Sequence, residues 1–119
     1  MSKPEMFESP LDKKTVRRLA EEGFGDMIKF VADLGRKIIC AGGGLHADAE
    51  TILLEHGSSQ SDLWGANYYP DLPAAERVVY RSMINIRPRD GNTQQQIQSE
   101  AIRQAVRGLA LHYFEGKPL

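Results

Sequence analysis

One histidine and two carboxylates lie close together near the middle of the chain, at His46, Asp48 and Glu50. Metal sites and general acid–base sites both need imidazole and carboxylate groups that converge on one point. On a strand all three side chains would share a face, whereas on a helix only His46 and Glu50 would, because they are four residues apart. The spacing matches no zinc-hydrolase motif. In a purely structural alternative, Asp48 caps a helix, Glu50 favours its first turn and His46 makes local hydrogen bonds.

A second group of polar residues could hold an anion. Side-chain amides and an arginine fork together suit a carboxylate or a phosphate, and two predicted strands, at 63–69 and 77–87, carry both kinds of group. If these strands pair, Asn67 and Asn85 could lie on one face with Arg87. The structural alternative is a solvated sheet face, or a buried polar pair that fixes the register of the strands. The candidate ligand-binding residues are Asn67, Tyr69, Asn85, Arg87 and Arg89.

Charges are unevenly distributed around these two groups. Residues 38–76 contain no Lys or Arg, but they contain the acidic residues Asp48, Glu50, Glu55, Asp62, Asp71 and Glu76. Residues 77–107 contain arginine at positions 77, 81, 87, 89, 103 and 107, and only two acidic residues, Asp90 and Glu100. Arginine is the planar, multi-donor cation that suits carboxylates and phosphates. The distribution predicts an anion site lined by arginine, or two segments that neutralise each other within the domain or across the two-fold axis of a homodimer.

Hydrophobic periodicity and capping residues indicate the elements that must position these groups. Residues 1–8 are expected to be flexible, and Ser9 before a proline predicts the start of a helix. Apolar runs at 28–34 and 38–41 favour a β-hairpin. Residues 46–55 allow a helix with Asp48 as its N-cap, but they also allow a strand.

The second half of the chain has the clearest patterns. Residues 77–87 give the clearest strand, Trp64 and Tyr68 are expected in the core, and Ser99 predicts the N-cap of a final helix. The resulting order is α-β-β-α-β-β-α. It predicts a single α+β domain over 1–119, with a four-stranded, mainly antiparallel sheet and two or three helices.

Composition narrows the class of protein. The chain has 119 residues, 41% of them hydrophobic and 26% charged, which fits one folded domain. Cys40 is the only cysteine and lies in an apolar run, so it predicts a packed core thiol and excludes an internal disulfide. No signal peptide or membrane span is visible, and a pI near 6.3 does not favour nucleic-acid binding. We therefore expect a cytoplasmic protein with no cofactor, no bound metal, no membrane contact and no nucleic-acid partner.

Short motifs along the middle of the chain resemble a known family. They are AGG at 41–43, LHADAE at 45–50, LLE at 53–55, GS at 57–58, Gln60, DLWG at 62–65, Asn67, SMINIRP at 82–88 and GN at 91–92. Together they resemble a family of small prokaryotic proteins known only as a domain of unknown function, over about Phe24 to Ile102. Because that family has no assigned activity, the resemblance implies no catalytic residue. Gly44 stands where the family is expected to carry Glu, which removes a carboxylate beside His46 and weakens a metal site there.

Three classes of function follow from these observations. The preferred hypothesis is a small soluble ligand-binding or regulatory domain, forming a homo-oligomer, that binds a small anionic ligand in a pocket lined by arginine and asparagine. The alternative is a metal-dependent or acid–base enzyme centred on His46, Asp48 and Glu50. The third is a protein-interaction module that uses an exposed sheet edge. The spatial arrangement of His46, Asp48 and Glu50 decides how well the enzyme hypothesis stands.

Overall fold

The computed structural model describes residues 2–119 and contains one five-stranded antiparallel sheet. Its strands are β1 (Glu5–Phe7), β2 (Ile28–Asp33), β3 (Ile38–Ala41), β4 (Leu63–Tyr68) and β5 (Val78–Val79), in the spatial order β1-β3-β2-β4-β5. The central strands β2 and β4 pair from Ile28 opposite Tyr68 to Asp33 opposite Leu63. The predicted β2–β3 hairpin and the predicted strand at 63–69 are confirmed.

Three helices cover the sheet: α1 (Lys13–Glu22), α2 (His46–Glu55) and α3 (Glu100–Glu115). The alternation of β2 sends Ile28, Phe30 and Ala32 to one face, where they share a hydrophobic cluster with residues of α1 and α3. Val31 lies on the opposite face, in a cluster with Leu53 of α2. The sheet therefore separates α1 and α3 from α2. No helix within residues 2–119 has the length and apolar character needed to cross a bilayer.

The α+β class is confirmed, but the predicted number and order of strands are wrong. Glu5–Phe7, which the sequence placed in a flexible lead-in, form an edge strand that pairs antiparallel with β3, with Met6 opposite Cys40. The observed order is therefore β-α-β-β-α-β-β-α. So short a strand carries too few residues to show the alternation by which strands are recognised.

Helix starts follow from side chains that bond the first-turn N–H groups. α1 begins after Asp12, whose Oδ1 accepts a hydrogen bond from the N–H of Thr15 at 2.8 Å, so the predicted start at Ser9 is wrong. α3 begins after Ser99 as predicted, and the Ser99 Oγ accepts a hydrogen bond from the N–H of Ile102. Each cap satisfies one of the donors that a helix leaves unpaired at its start.

The predicted strand over 77–87 is wrong except for Val78–Val79. Beyond those residues the chain makes two isolated bridges, Arg81 with Gln96 and Arg87 with Asn92, with a 3₁₀ turn over Met83–Asn85 between them. Ser82 starts this turn, because its Oγ accepts a hydrogen bond from the N–H two residues further on. A local side-chain bond thus competes successfully with the strand pattern.

The side chain of Asn85 takes the place of a strand partner beside β4. Its Oδ1 accepts a hydrogen bond from the N–H of Gly65, and its Nδ2 donates to the Gly65 carbonyl, each at 2.9 Å. Nδ2 also donates to the carbonyl of Gln95 at 3.0 Å. A Cβ atom at position 65 would lie only 2.6 Å from Cβ of Ser82, so glycine is required where this segment crosses β4. The amide of Asn85 therefore supplies the ladder bonds that a neighbouring strand would have made.

Three residues expected in the core are buried. Trp64 and Tyr68 are each 3% exposed, and Cys40 is fully buried. Burial, with a smaller contribution from the charge of Glu5, raises the pKa of the Cys40 thiol to about 12. Cys40 is therefore a packed core thiol, as predicted.

Candidate functional site

The first candidate group lies at the start of α2, which answers the question of helix or strand over 46–55. The helix runs His46–Glu55, and its N-cap, Leu45, makes no side-chain capping bond. Asp48 lies in the first turn, so its predicted role as the N-cap is wrong. A carboxylate there still complements the positive end of the helix dipole. The first turn of α2 nevertheless receives no side-chain acceptor from Leu45, whose carbonyl accepts a hydrogen bond from the N–H of Asp48 at 3.2 Å.

His46 is 6% exposed and lies against β4. Its Nε2 lies 2.8 Å from the carbonyl oxygen of Ala66. Because a carbonyl only accepts, Nε2 carries the hydrogen, and Nδ1 of the neutral ring is an acceptor. Burial lowers the pKa of His46 to about 4, and the charge of Lys29 assists this shift. The hydrogen bond to Ala66 opposes it, as does the neighbouring side chain of Asn67, which can accept a hydrogen from the protonated ring. The imidazole is therefore neutral at pH 7.

His46, Asp48 and Glu50 are not arranged as a metal site. Glu50 follows His46 by one helical turn, and Asp48 is exposed. Within residues 2–119, no group of three or more His, Cys, Asp or Glu side chains is placed to hold a metal ion. Oε2 of Glu50 is buried and has no hydrogen-bond partner in the described part of the chain. The geometry that a metal-dependent enzyme requires is therefore not found at this group.

Asn85 and Arg87, from the second candidate group, are committed to the fold. The amide of Asn85 bonds main-chain groups through both of its polar atoms. Arg87 Nη1 donates to the carbonyl of Leu63 at 2.7 Å, and the guanidinium lies 4.2 Å from the centroid of the Trp64 ring. Its Nε forms an ion pair with Asp90 at 2.9 Å, without hydrogen-bond geometry. Arg87 thus connects the segment that carries the 3₁₀ turns Met83–Asn85 and Pro88–Asp90 to β4.

The remaining predicted binding residues are separated from one another. Tyr69 is half-buried, and its N–H donates to the carbonyl of Arg77 at 2.7 Å. Arg89 is exposed in the 3₁₀ turn Pro88–Asp90. Of the five predicted binding residues, Asn67 alone lines either of the two clefts described below.

The acidic and arginine-rich segments meet through main-chain carbonyls. Three arginines donate to carbonyl oxygens of the acidic segment: Arg77 to Leu72, Arg87 to Leu63 and Arg107 to Ala74. The ion pairs of the arginine-rich segment are made elsewhere, with Glu115, Asp90 and Glu100. Within residues 2–119 no ion pair joins the two segments. Their neutralisation within the domain or across a two-fold axis stays a prediction.

A cleft of about 270 Å³ opens where the start of α2 faces β2, β4 and the segment after β5. Two cations, Lys29 and Arg81, line it together with His46, and no carboxylate belongs to its lining. Lys29 lies 5.4 Å from the centroid of the Phe24 ring, and neither cation forms an ion pair with a carboxylate in the described part of the chain. The cleft is therefore electropositive.

Asn67 provides a buried acceptor without a partner in this cleft. The residue is 8% exposed, and its Nδ2 donates to the carbonyl of Arg81 at 3.2 Å. That carbonyl can only accept, which fixes the orientation of the amide and identifies Oδ1 as the remaining atom. Oδ1 is buried and has no hydrogen-bond partner in the described residues. An unpaired buried polar atom costs about 1–3 kcal/mol, so its retention calls for an explanation.

Sequence reasoning missed both cations of the cleft. Lys29 lies directly opposite Asn67 in the β2–β4 pairing, so the register of those strands would have placed both on one face. Arg81 belonged to the same predicted strand face as Asn85. The charge count over 77–107 included Arg81, but nothing in the sequence distinguished it from arginines that bind carbonyl groups.

A larger groove of about 690 Å³ lies on the opposite face of the sheet, between α1 and the end of α3. Three of its polar groups contact one another: Tyr68 donates to Oε2 of Glu115 at 2.6 Å, and Arg77 pairs with the same carboxylate at 3.3 Å. Burial and the neighbouring Glu115 raise the pKa of Tyr68. Because no unpaired buried atom lines this groove, the smaller cleft is the better candidate site.

Comparison with known proteins provides a family and no activity. A family model described as a protein of unknown function (DUF5674) matches residues 5–112. No curated protein and no solved structure matches the chain. The expected resemblance of the chain to an uncharacterised domain family is therefore confirmed.

Proposed function

The chain belongs to DUF5674, a family of unknown function, and we propose that it binds a small anionic ligand in the cleft beside α2. The observation that carries this proposal is Asn67, whose Oδ1 is buried and unpaired in the described structure. Such an atom is stabilised when a ligand supplies a donor. Because Lys29 and Arg81 line the same cleft, the ligand is expected to carry a negative charge.

The electrostatics of the cleft support an anion. Lys29 and Arg81 line it without a carboxylate beside them. The N-terminus of α2 contributes the positive end of a ten-residue helix, and Leu45 offers no side-chain acceptor to the first turn. The volume, about 270 Å³, is at the small end of ligand pockets, which supports a ligand of few atoms.

This proposal keeps the chemistry expected from the sequence and changes the residues. Asn67 remains, but Lys29 and Arg81 replace Asn85, Arg87 and Arg89 as its companions. A catalytic role for His46 is less supported, because its Nε2 is bonded to a main-chain carbonyl and its pKa is lowered to about 4.

A ligand-induced stability screen tests the proposal. Small carboxylates and inorganic phosphate are added to the purified chain, and a ligand that binds only the folded state raises the melting temperature. Arg81→Gln should weaken binding at least about tenfold, because a hydrogen bond to a charged group contributes about 1.5–3 kcal/mol. Its side chain is exposed, so stability without ligand should change little.

Arg89→Gln is the matched control. It removes the same charge from an exposed position that lines neither cleft. Equal weakening by both variants would mean that anions respond to overall charge, and the proposal would then be wrong. A panel in which no anion raises the melting temperature would contradict it as well.

The homodimer expected from the sequence stays a prediction, tested by sedimentation at low and high salt. The interaction module through a sheet edge has less support, because the edge strands are Glu5–Phe7 and Val78–Val79. Strands of this length present few unpaired main-chain groups to a partner.

A further inference from the structure

The acceptors of the cleft define what its ligand must donate, and this inference rests on the proposed function. Oδ1 of Asn67 lacks a donor in the described structure. His46 provides a second acceptor, because its Nε2 hydrogen is used by Ala66 and Nδ1 of the neutral ring carries only a lone pair. Two acceptors do not satisfy each other. While its ring is neutral, His46 cannot donate to the neighbouring Oδ1 of Asn67, so a ligand that carries a donor satisfies that oxygen.

The cations place the negative charge of the ligand next to that donor. Lys29 lies opposite Asn67 across the β2–β4 pairing, and Asn67 bonds the main chain of Arg81. A simple carboxylate presents only acceptors, so it would leave Oδ1 of Asn67 unpaired. A carboxylate whose adjacent carbon carries an O–H or an uncharged N–H meets both requirements. A free ammonium is disfavoured there, because the two cations repel it.

The rim of the cleft is apolar. Leu45 is 61% exposed and Met83 is 68% exposed, and both line the cleft together with the half-buried Ile84. Isolated exposed hydrophobic residues are ordinary on a protein surface. These residues, however, flank one electropositive cleft, where they can cover a hydrocarbon group of a ligand and remove it from water.

We infer that the cleft binds a carboxylate with an O–H or amide N–H donor on the adjacent carbon and an apolar side chain. The carboxylate contacts Lys29 and Arg81, the donor bonds Oδ1 of Asn67, and the apolar group packs on Leu45 and Met83. This chemistry occurs in a hydrophobic 2-hydroxy acid. It occurs equally in the last residue of a peptide that ends in a free carboxylate.

Calorimetric titration of the full chain tests the ligand class with matched probes. 2-Hydroxy-4-methylpentanoate carries all three features, 4-methylpentanoate lacks the donor, and glycolate lacks the apolar group. The first should bind about tenfold more tightly than either of the others. Tripeptides that end in leucine, with a free or an amidated terminus, distinguish the two sources: only the free terminus should bind if the cleft accepts a chain end, and neither if it accepts free acids alone.

Asn67→Ala should reduce the ratio between 2-hydroxy-4-methylpentanoate and 4-methylpentanoate to about one. Asn67→Ser is the second variant if the alanine protein does not fold, because its hydroxyl can still donate to a main-chain carbonyl. Equal binding of the three acids to the wild type, weakened throughout by Arg81→Gln, would overturn the ligand class and leave the anion site standing. Failure of every acid and of phosphate to bind would overturn both proposals.

Discussion

Asn85→Ala tests the idea that one side-chain amide replaces a strand beside β4. The residue is fully buried and makes hydrogen bonds to the N–H and C=O of Gly65 and to the C=O of Gln95. Alanine leaves three main-chain groups without these partners, and each unpaired buried group costs about 1–3 kcal/mol. The free energy of unfolding should therefore fall by about 3 kcal/mol or more, a large part of the about 5–15 kcal/mol that holds a typical domain.

Denaturant unfolding followed by Trp64 fluorescence measures this loss directly. The melting temperature should fall by about 10 °C or more in a domain of this size. Gln96→Ala is the control, because Gln96 is exposed and adjoins the same segment, and it should change stability by about 0.5 kcal/mol or less. A loss below about 1 kcal/mol for Asn85→Ala would refute the reasoning, since it would mean that the bonds to Gly65 are readily replaced by water.

Three further predictions concern single positions. The pKa of His46 in the folded chain, about 4, lies below its ordinary value of 6.5, so the unfolded chain takes up the proton first as the pH falls. The contribution of the neutral His46 to stability is therefore complete above about pH 6.5 and is lost as the pH falls towards 4. Between pH 7.5 and 4.5, the free energy of unfolding, measured with denaturant, should therefore fall by about 2–3 kcal/mol more in the wild type than in His46→Gln. Equal decreases in the two proteins would contradict this prediction. Cys40, whose pKa is raised to about 12 by burial, should react with a disulfide reagent only after denaturation; rapid reaction of the native thiol would show that it is accessible. Gly65→Ala should lower the free energy of unfolding by about 1–3 kcal/mol, because the added Cβ overlaps Ser82. Gly108→Ala in α3, where an added Cβ meets no atom within 4 Å, should instead raise it by about 0.5–1 kcal/mol. Similar effects of the two substitutions would be inconsistent with the close approach of Ser82 to β4.

The hairpin and the last helix were predictable because their signals are local. Alternation in 28–34 and a serine before an amphipathic run each act within a few residues, and both predictions were confirmed. β1 was missed because Glu5–Phe7 become a strand only through pairing with β3, which is distant in sequence. The failure at 77–87 has the opposite cause: the alternation is real, but Ser82 and Asn85 bond neighbouring main-chain groups and turn the chain away.

Within the candidate site, residue types were easier to predict than their roles. Asn67 and Asn85 are both buried asparagines, but Asn85 is fully bonded whereas Asn67 keeps one unpaired oxygen. The two arginines differ in the same way. Arg87 stacks on Trp64 and donates to a main-chain carbonyl, whereas Arg81 lines the cleft and forms no ion pair in the described residues. Such differences depend on the partners that the fold brings near, and a single sequence does not contain them.

The most direct test of the proposed binding cleft is an NMR titration of the isotope-labelled chain with 2-hydroxy-4-methylpentanoate. We expect saturable chemical-shift changes that cluster at Lys29, at 45–47, at Asn67 and at 81–84, with the side-chain amide of Asn67 among the largest. Changes centred on Tyr68 and Glu115 in the larger groove, or no saturable change at all, would contradict the account.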